Sequence, residues 1–399
     1  MTTIPRQMQR SGAQRRARES TAARITGSSR AVSSLYIHVP FCVKKCNYCD
    51  FFSVPFDEST AFAYTDALCR ELKMKAHLAG SIETVYIGGG TPSLLPHACL
   101  SRLFRTLQRS YTLSETAEVT IETNPGTISG ATIDLLLSRG VNRISVGVQS
   151  FDDAELRLLG RIHTADDATR TLSFLRKSGF NTISLDLMFG IPGQTLDSWR
   201  TSLARCLECA PTHLSCYELT LEEGTPFWNS VQKPPEDAIV DMYVHACDFC
   251  EHYGYGQYEI SNFALSGHRC VHNLNYWRRG EYIGAGAGAH SFVGDTRSRN
   301  VRDIRSYIRH LAEGVAPEVD SAMLSPVESA REFLFLGLRT TDGIRIRDAD
   351  ALGLDLLRAA EELREGGFLE MRGTVLRMTR RGFAVSTAVL VHLLQNLGL

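Results

Sequence analysis

The chain has 399 residues, 43% of them hydrophobic, with 43 basic and 44 acidic side chains for a net charge of −1. That length holds one large α/β unit and a smaller one, and the balanced charge gives no overall field that would draw the chain to nucleic acid or an anionic membrane. No run approaches the roughly 18 to 20 apolar residues of a membrane span and the N-terminus lacks the apolar core of a secretion signal, so the sequence reads as cytoplasmic, without an integral membrane segment.

In chain order, residues 1–33 read as a basic disordered tail, with an organellar transit peptide, which they resemble in composition, as the other reading. Seven arginines and one acid, Glu19, stand among Ser, Thr and Ala in the first 34 residues, with no apolar stripe beside them. From Ser34 β-branched runs alternate with helical stretches, the pattern of a parallel sheet with crossover helices. Strands are expected over Ser34–Val39, Glu83–Gly88, Ala117–Thr123, Asn142–Gly147, Thr182–Leu187 and Thr212–Leu219. Helices are expected over Glu58–Leu78, Pro96–Ser110, Ala131–Arg139, Ala165–Lys177 and Leu196–Glu208. Nearly every strand runs into an unusual loop (HVPFC, GGGTPS, ETNPG, GVQSF, FGIPGQT), and barrels of this kind carry their chemistry on such loops. The fold class predicted is α/β, a partial (β/α)6 barrel over residues 34–262.

Past Tyr258 the alternation stops, and residues 263–320 read as a polar, aromatic and Gly-rich connecting segment. Residues 321–399 read as a helical, winged-helix-like domain: helices over 326–365, two short strands within Phe368–Thr379, and a last helix over Phe383–Leu397. The helix from Leu352 mixes Asp355, Glu361 and Glu362 with Arg358 and Arg364, which suits protein packing better than nucleic acid.

Eleven cysteines in a chain of this kind point to metal or packing rather than to disulfides. Three fall within eight residues, Cys42, Cys46 and Cys49, directly after the first strand. Three thiolates at C-x3-C-x2-C can hold three irons of a cubane and leave the fourth iron without a protein ligand. A structural zinc site, the competing reading, wants a fourth ligand that is not obvious nearby. Two further C-x2-C pairs, Cys206/Cys209 and Cys247/Cys250, lie in helical, partly apolar stretches and read as packing.

The segment SLYIHVPFCVKKCNYCDF resembles the signature of the radical SAM superfamily, and within it the branch of oxygen-independent coproporphyrinogen oxidases (HemN) and the HemW-type proteins. The resemblance runs from about Ser34 to the C-terminus. It implies a [4Fe-4S] cluster on Cys42, Cys46 and Cys49, with S-adenosylmethionine chelating the open iron. An electron donor reduces the cluster, which cleaves the sulfonium to methionine and a 5′-deoxyadenosyl radical. Residue by residue, it puts Tyr36 near the cluster and the methionyl group and Tyr48 near the adenine. Gly89, Gly90 and Thr91 line the cofactor, Glu122 pairs with its amino or ribose groups, and Gln149, Arg161 and Asp186 make polar contacts. A carboxylate suits an ammonium or ribose hydroxyls, and a guanidinium suits a carboxylate.

Two features choose between the branches. The oxidase pattern has a further cysteine two residues after the third, where this chain has Phe51. Cys270 to Trp277 read CVHNLNYW, which matches the H-N-x-x-Y-W motif of HemW-type haem chaperones. The resemblance therefore implies binding of haem and its delivery to haem-accepting, respiratory client proteins, with a porphyrinogen-oxidising radical enzyme as the alternative. His272 is the first candidate for an axial haem ligand, Cys270 the second and His290 a weaker third. The other reading of His272 is a hydrogen-bonded core residue in a segment that seals the barrel. The glycines of Gly284–Ala289 read as backbone brought close to a cofactor.

Overall fold

The structure, a computed structural model, describes residues 31–399, so the expected tail lies almost wholly outside the described residues. Six parallel strands follow one another in chain order across one sheet: β1 (Val32–Val39), β2 (Ala79–Gly89), β3 (Thr112–Thr123), β4 (Arg143–Gln149), β5 (Thr182–Phe189) and β6 (His213–Glu218). Helices cover the crossovers: α1 (Glu58–Lys75), α2 (His97–Ser110), α3 (Gly130–Ser138), α4 (Ala165–Lys177) and α5 (Leu196–Glu208). With helices packed on it the sheet reads as near-continuous burial rather than alternation, and all seven residues of β4 are buried. Both α4 and α5 open with capping boxes, on Thr164 with Asp167 and on Thr195 with Ser198, which is why their ends were readable from sequence.

The sheet extends beyond these six strands. Gly256–Gln257 (β7) and Asn262–Ala264 (β8) add antiparallel past β6. Ile283–Ala285 (β9) adds parallel to the free edge of β1, Leu35 opposite Ile283. The result is nine strands in the order β9-β1-β2-β3-β4-β5-β6-β8-β7, an open, partial barrel. The segment after Tyr258 thus supplies sheet edges as well as connections.

The Gly284–Ala289 run serves that edge. A Cβ on Gly284 would lie 1.9 Å from the His290 carbonyl oxygen, and one on Gly286 (φ +108°) 2.4 Å from the His38 carbonyl. Gly284 and Gly286 allow backbone to pack on backbone, while Gly288 and Ala289 line a cavity. Glu71, buried on α1, locks the run in place by accepting from Gly286 N (2.7 Å), Asn300 Nδ2 (2.7 Å) and Tyr307 Oη (2.5 Å) and pairing with Lys75 (2.7 Å).

In the C-terminal part, helix Pro326–Gly337 and three shorter helices precede a hairpin of Leu369–Arg372 and Val375–Met378. Ile344–Arg345 adds to it as a third strand. Arg380 pairs with Asp248 (2.6 Å) and Glu251 (3.0 Å) on Glu236–His252, and the amide of Ile260 donates to the Arg339 carbonyl (2.9 Å), so this wing docks on the sheet's far edge. Among the described residues no helix is long and apolar enough to cross a membrane.

Candidate functional site

Pro40 ends β1, and the chain pairs briefly with its own return: Phe41–Cys42 runs parallel to Val54–Pro55. Residues 43–53 therefore form a closed loop, and neighbouring segments fix it. Asn47 N donates to Leu159 O (3.0 Å), Phe227 N to Asn47 O (3.0 Å) and Thr91 N to Phe41 O (2.7 Å). Lys44 and Lys45 are exposed while Cys42, Cys46 and Cys49 are half-buried free thiols.

All three thiols line one solvent-open cavity of about 870 Å³, together with Tyr48, Gly89, Gly90, Thr91, Gln149, Arg161 and Asp186. Ten of the thirteen residues singled out in the sequence thus meet in one place, at the C-terminal ends of β1, β2, β4 and β5 and in the loop before α4. They share the cavity mouth without converging on a single-ion site.

Gly89 takes φ +110°, and a Cβ there would meet the His38 ring at 2.4 Å. A Cβ on Gly90 would lie 2.6 Å from the Phe41 carbonyl. Their bare backbone is what lets β2 end against the cysteine loop. Thr91 is buried with Oγ1 accepting from Asn124 Nδ2 (2.7 Å). Gln149 sits at φ +73° and accepts from the Tyr217 hydroxyl.

Arg161 is the site's central cation. Nη1 donates to Cys46 Sγ (3.3 Å), Nη2 to Gly147 O (2.5 Å) and Asn124 Oδ1, and Nε is buried without a partner. The unpartnered Nε is a buried donor with bonding capacity to spare. Burial pushes the Cys49 thiol up to about 11 and raises that of Cys42, so those two stay protonated until a metal displaces the proton. Asp186 is pushed up to about 6, first by burial, with Ser145 Oγ donating to both oxygens at 3.2 Å. Asn124, Thr127 and Tyr217 also line the cavity. Sequence reasoning flagged the ETNPG loop but not Asn124, whose signal is a polar side chain between a strand end and a Pro-Gly turn.

The three remaining residues lie elsewhere. Glu122 does not line the cavity; its carboxylate accepts from Tyr86 Oη (2.8 Å) and Gly89 N (2.9 Å), so it braces the glycine turn from behind. Burial lifts its pKa to about 7. Tyr36 donates to His38 Nδ1 (2.9 Å) and faces a second cavity, of about 710 Å³, between the cysteine loop and the connecting segment.

His272 is fully buried on Val271–Trp277, stacked on Tyr86 (5.1 Å between centroids). Its Nδ1 bonds Thr84 Oγ1 (2.9 Å) and its Nε2 bonds Tyr276 Oη (2.8 Å). Both ring nitrogens are hydrogen-bonded in this structure, so His272 stands here as the bonded core residue of the two readings. Cys270 is buried too, its Sγ donating to Glu118 Oε1 (3.4 Å), and Glu118 also accepts from the amides of Val271 (3.1 Å) and His272 (2.9 Å). The H-N-x-x-Y-W segment is thus a capped, stacked helix sealing the sheet.

Comparison with known proteins bears on the same regions. Residues 36–206 match the Radical SAM superfamily, and residues 324–385 match the HemN C-terminal domain. A protein of Bacillus subtilis (strain 168) named "Heme chaperone HemW" is 38% identical over 367 residues, covering 88% of this chain and 96% of the relative. "Radical S-adenosyl methionine domain-containing protein 1, mitochondrial" of Bos taurus is 36% identical, covering 93% of this chain and 89% of the relative. Among solved structures, the coproporphyrinogen III oxidase HemN of Escherichia coli superposes with a TM-score of 0.80 at 22% identity, covering 94% of this chain and 93% of that one, and shares its fold.

Proposed function

The chain belongs to the HemW family of radical SAM proteins, and from that premise we propose that it is a haem chaperone. In this reading it carries a [4Fe-4S] cluster on Cys42, Cys46 and Cys49 with S-adenosylmethionine at the open iron, and hands haem to haem-dependent, respiratory clients. One observation carries the cofactor reading: three free thiols, a buried arginine with an unsatisfied N–H and a glycine turn share one cavity. The relatives' naming carries the haem reading.

The residues fit the cofactor. Soft sulfur donors on a short closed loop suit iron–sulfur ligation, Arg161 holds Cys46 Sγ in place through Nη1, and its free Nε and the Asp186 carboxylate offer opposite charges to an amino acid zwitterion and ribose. Tyr48 covers the cavity with an aromatic face, and Thr91, positioned by Asn124, supplies a hydroxyl. When bound, the cluster and S-adenosylmethionine supply one-electron cleavage of a sulfonium, fed by an external electron donor. Eleven free cysteines suit a reducing compartment, the cytoplasm.

Titration of haem into the anaerobically reconstituted protein tests the reading. A Soret band saturating at stoichiometric haem, followed by loss of that band to an apo-haemoprotein, supports it. No stoichiometric binding, together with turnover of coproporphyrinogen under reducing conditions, replaces it with the oxidase alternative.

A further inference from the structure

The loop that carries the three thiols also presents an outer face. Val43, Phe51 and Ile162 rim the mouth of the cofactor cavity, and each is more than half exposed, at 55%, 60% and 56%. Two further exposed apolar side chains are tied to the same loop through Asn47. Its Nδ2 donates to the carbonyl of Leu158 (2.9 Å), and its own carbonyl accepts from the amide of Phe227 (3.0 Å), next to Trp228. Scattered singly, exposed apolar residues need no account; gathered at one mouth, they mark a contact surface.

Charge on this rim is equally uneven. Lys44 and Lys45 stand between the first two cysteines, exposed and on the cavity's edge. Neither has an acid partner among the described residues, unlike Lys75 and Lys233, which pair with Glu71 and Glu218. The loop's one acid, Asp50, lines the neighbouring cleft instead, where Arg302 donates to its carbonyl (3.3 Å). A chain of net charge −1 thus gathers uncompensated positive charge beside its thiols.

We infer that this rim is the docking face for an acidic protein that carries a one-electron redox group at its edge. Lysines around a small apolar centre suit a weak encounter steered by opposite charge. Position selects a redox carrier among acidic proteins. Because Lys44 and Lys45 lie within the span from Cys42 to Cys46, a group seated on them is separated from the cluster by the loop alone, whereas from the opposite side the sheet intervenes. Electron tunnelling falls steeply with distance, so the rim is the short route. The proposal rests on the cofactor reading and gives the electron donor its place at that site. One electron leaves the carrier and enters the cluster: the carrier is oxidised by one, the cluster is reduced by one, and no bond is made or broken.

Oxidised flavodoxin, an acidic protein with an edge-exposed flavin, is the probe, titrated by calorimetry into the full-length, cluster-reconstituted protein. The wild type is expected to bind it with an affinity that falls as salt rises. Lys44→Glu/Lys45→Glu keeps its iron and sulfide content but binds about tenfold or more weakly at low salt, and Val43→Ser/Ile162→Ser weakens binding at low and high salt alike. Reduction of the cluster by flavodoxin hydroquinone slows in parallel in the charge-reversed variant, while reduction by photoreduced deazaflavin, which needs no docking, keeps its rate. No binding by the wild type, or an unchanged affinity and hydroquinone rate in the charge-reversed variant, would overturn the proposal. Equal slowing with deazaflavin would also overturn it, by making the lysines part of the cluster's own setting. Intact flavodoxin binding beside weakened haem transfer to an apo-haemoprotein would do the same, by giving the rim to a client. A wild type that assembles no cubane on reconstitution sinks the cofactor reading itself.

Discussion

Two buried polar regions of this protein lie a few strands apart and behave oppositely. At His272 itself the bonds are made: two hydroxyls hold its ring nitrogens, Tyr86 stacks on its face, and Glu118 takes the helix amides and the Cys270 thiol, although Nη1 of its ion-pair partner Arg143 is left without an acceptor. Around Arg161 bonds are left unmade: one N–H is orphaned, Cys49 and Cys42 are held as neutral thiols, and Asp186 sits between protonation states. The motif with the most chemical-looking residues spends its bonds within the fold, whereas the cysteine cavity keeps bonding capacity unspent. A buried donor without a partner is costly and calls for a ligand; a satisfied one calls for nothing.

The sharpest way to break this contrast is at the thiols. The triple variant Cys42→Ala, Cys46→Ala, Cys49→Ala is expected to bind no cubane iron on anaerobic reconstitution, read by iron and sulfide content. A full cluster on that variant would mean that the open region is not the cofactor site. Next comes Glu71, on the satisfied side. Removing it by Glu71→Ala leaves Lys75 with Glu318 (2.8 Å) and Gly284 O (2.9 Å) but takes the acceptor from Gly286 N and Tyr307 Oη, and a buried donor left unsatisfied costs about 1 to 3 kcal/mol, measurable as a lowered denaturant midpoint. A loss below about 1 kcal/mol would show that this clamp is as loosely held as a surface ion pair.

Glu122 straddles the two regions, and pH separates its contribution. Its pKa is about 7 in the fold against 4.5 ordinarily. The folded chain therefore holds an extra proton between those values, and the stability this contributes is complete below pH 4.5 and lost as pH rises through 7. Relative to Glu122→Gln, the wild type is expected to lose on the order of 1 to 3 kcal/mol from pH 4.5 to 7.5. Parallel stability curves would show that Glu122 is ionised throughout.

How much of this was legible beforehand differs between the regions for physical reasons. The helices Ala165–Lys177 and Leu196–Glu208 were readable to the residue because their capping threonines are local signals. The cysteine loop was readable because its ligand spacing is local too. Strand starts were less so: β2 begins at Ala79 rather than Glu83 and β3 at Thr112 rather than Ala117, since pairing with β1 and β2 extends them where the apolar pattern is weak. The edge strand Ile283–Ala285 was hidden in a glycine run whose purpose, backbone packed on His38 and His290, is tertiary. The partners of His272 and Glu122 were hidden for the same reason. Residue type announces a capacity to bond, but only the fold decides whether Thr84, Tyr276 or Gly89 uses it first.

The smallest effect is expected at His272, and it is the most discriminating. Burial lowers its pKa to about 3, so the folded chain keeps it neutral while the unfolded chain protonates it below 6.5. Its contribution to stability is present above 6.5 and drains away as pH falls towards 3. His272→Gln keeps a polar side chain of similar bulk, and Thr84 retains its bond to Ser34 Oγ (3.0 Å). The cost at neutral pH is therefore that of a lost hydrogen bond, about 1 kcal/mol, and the variant's stability falls less steeply below pH 6.5. Haem titration of this variant is expected to match the wild type, because the ring it removes has no free nitrogen to give. Loss of the Soret band with the denaturant midpoint nearly unchanged would show that His272 leaves Thr84 or Tyr276 to bind iron, and would place the haem site in the seam.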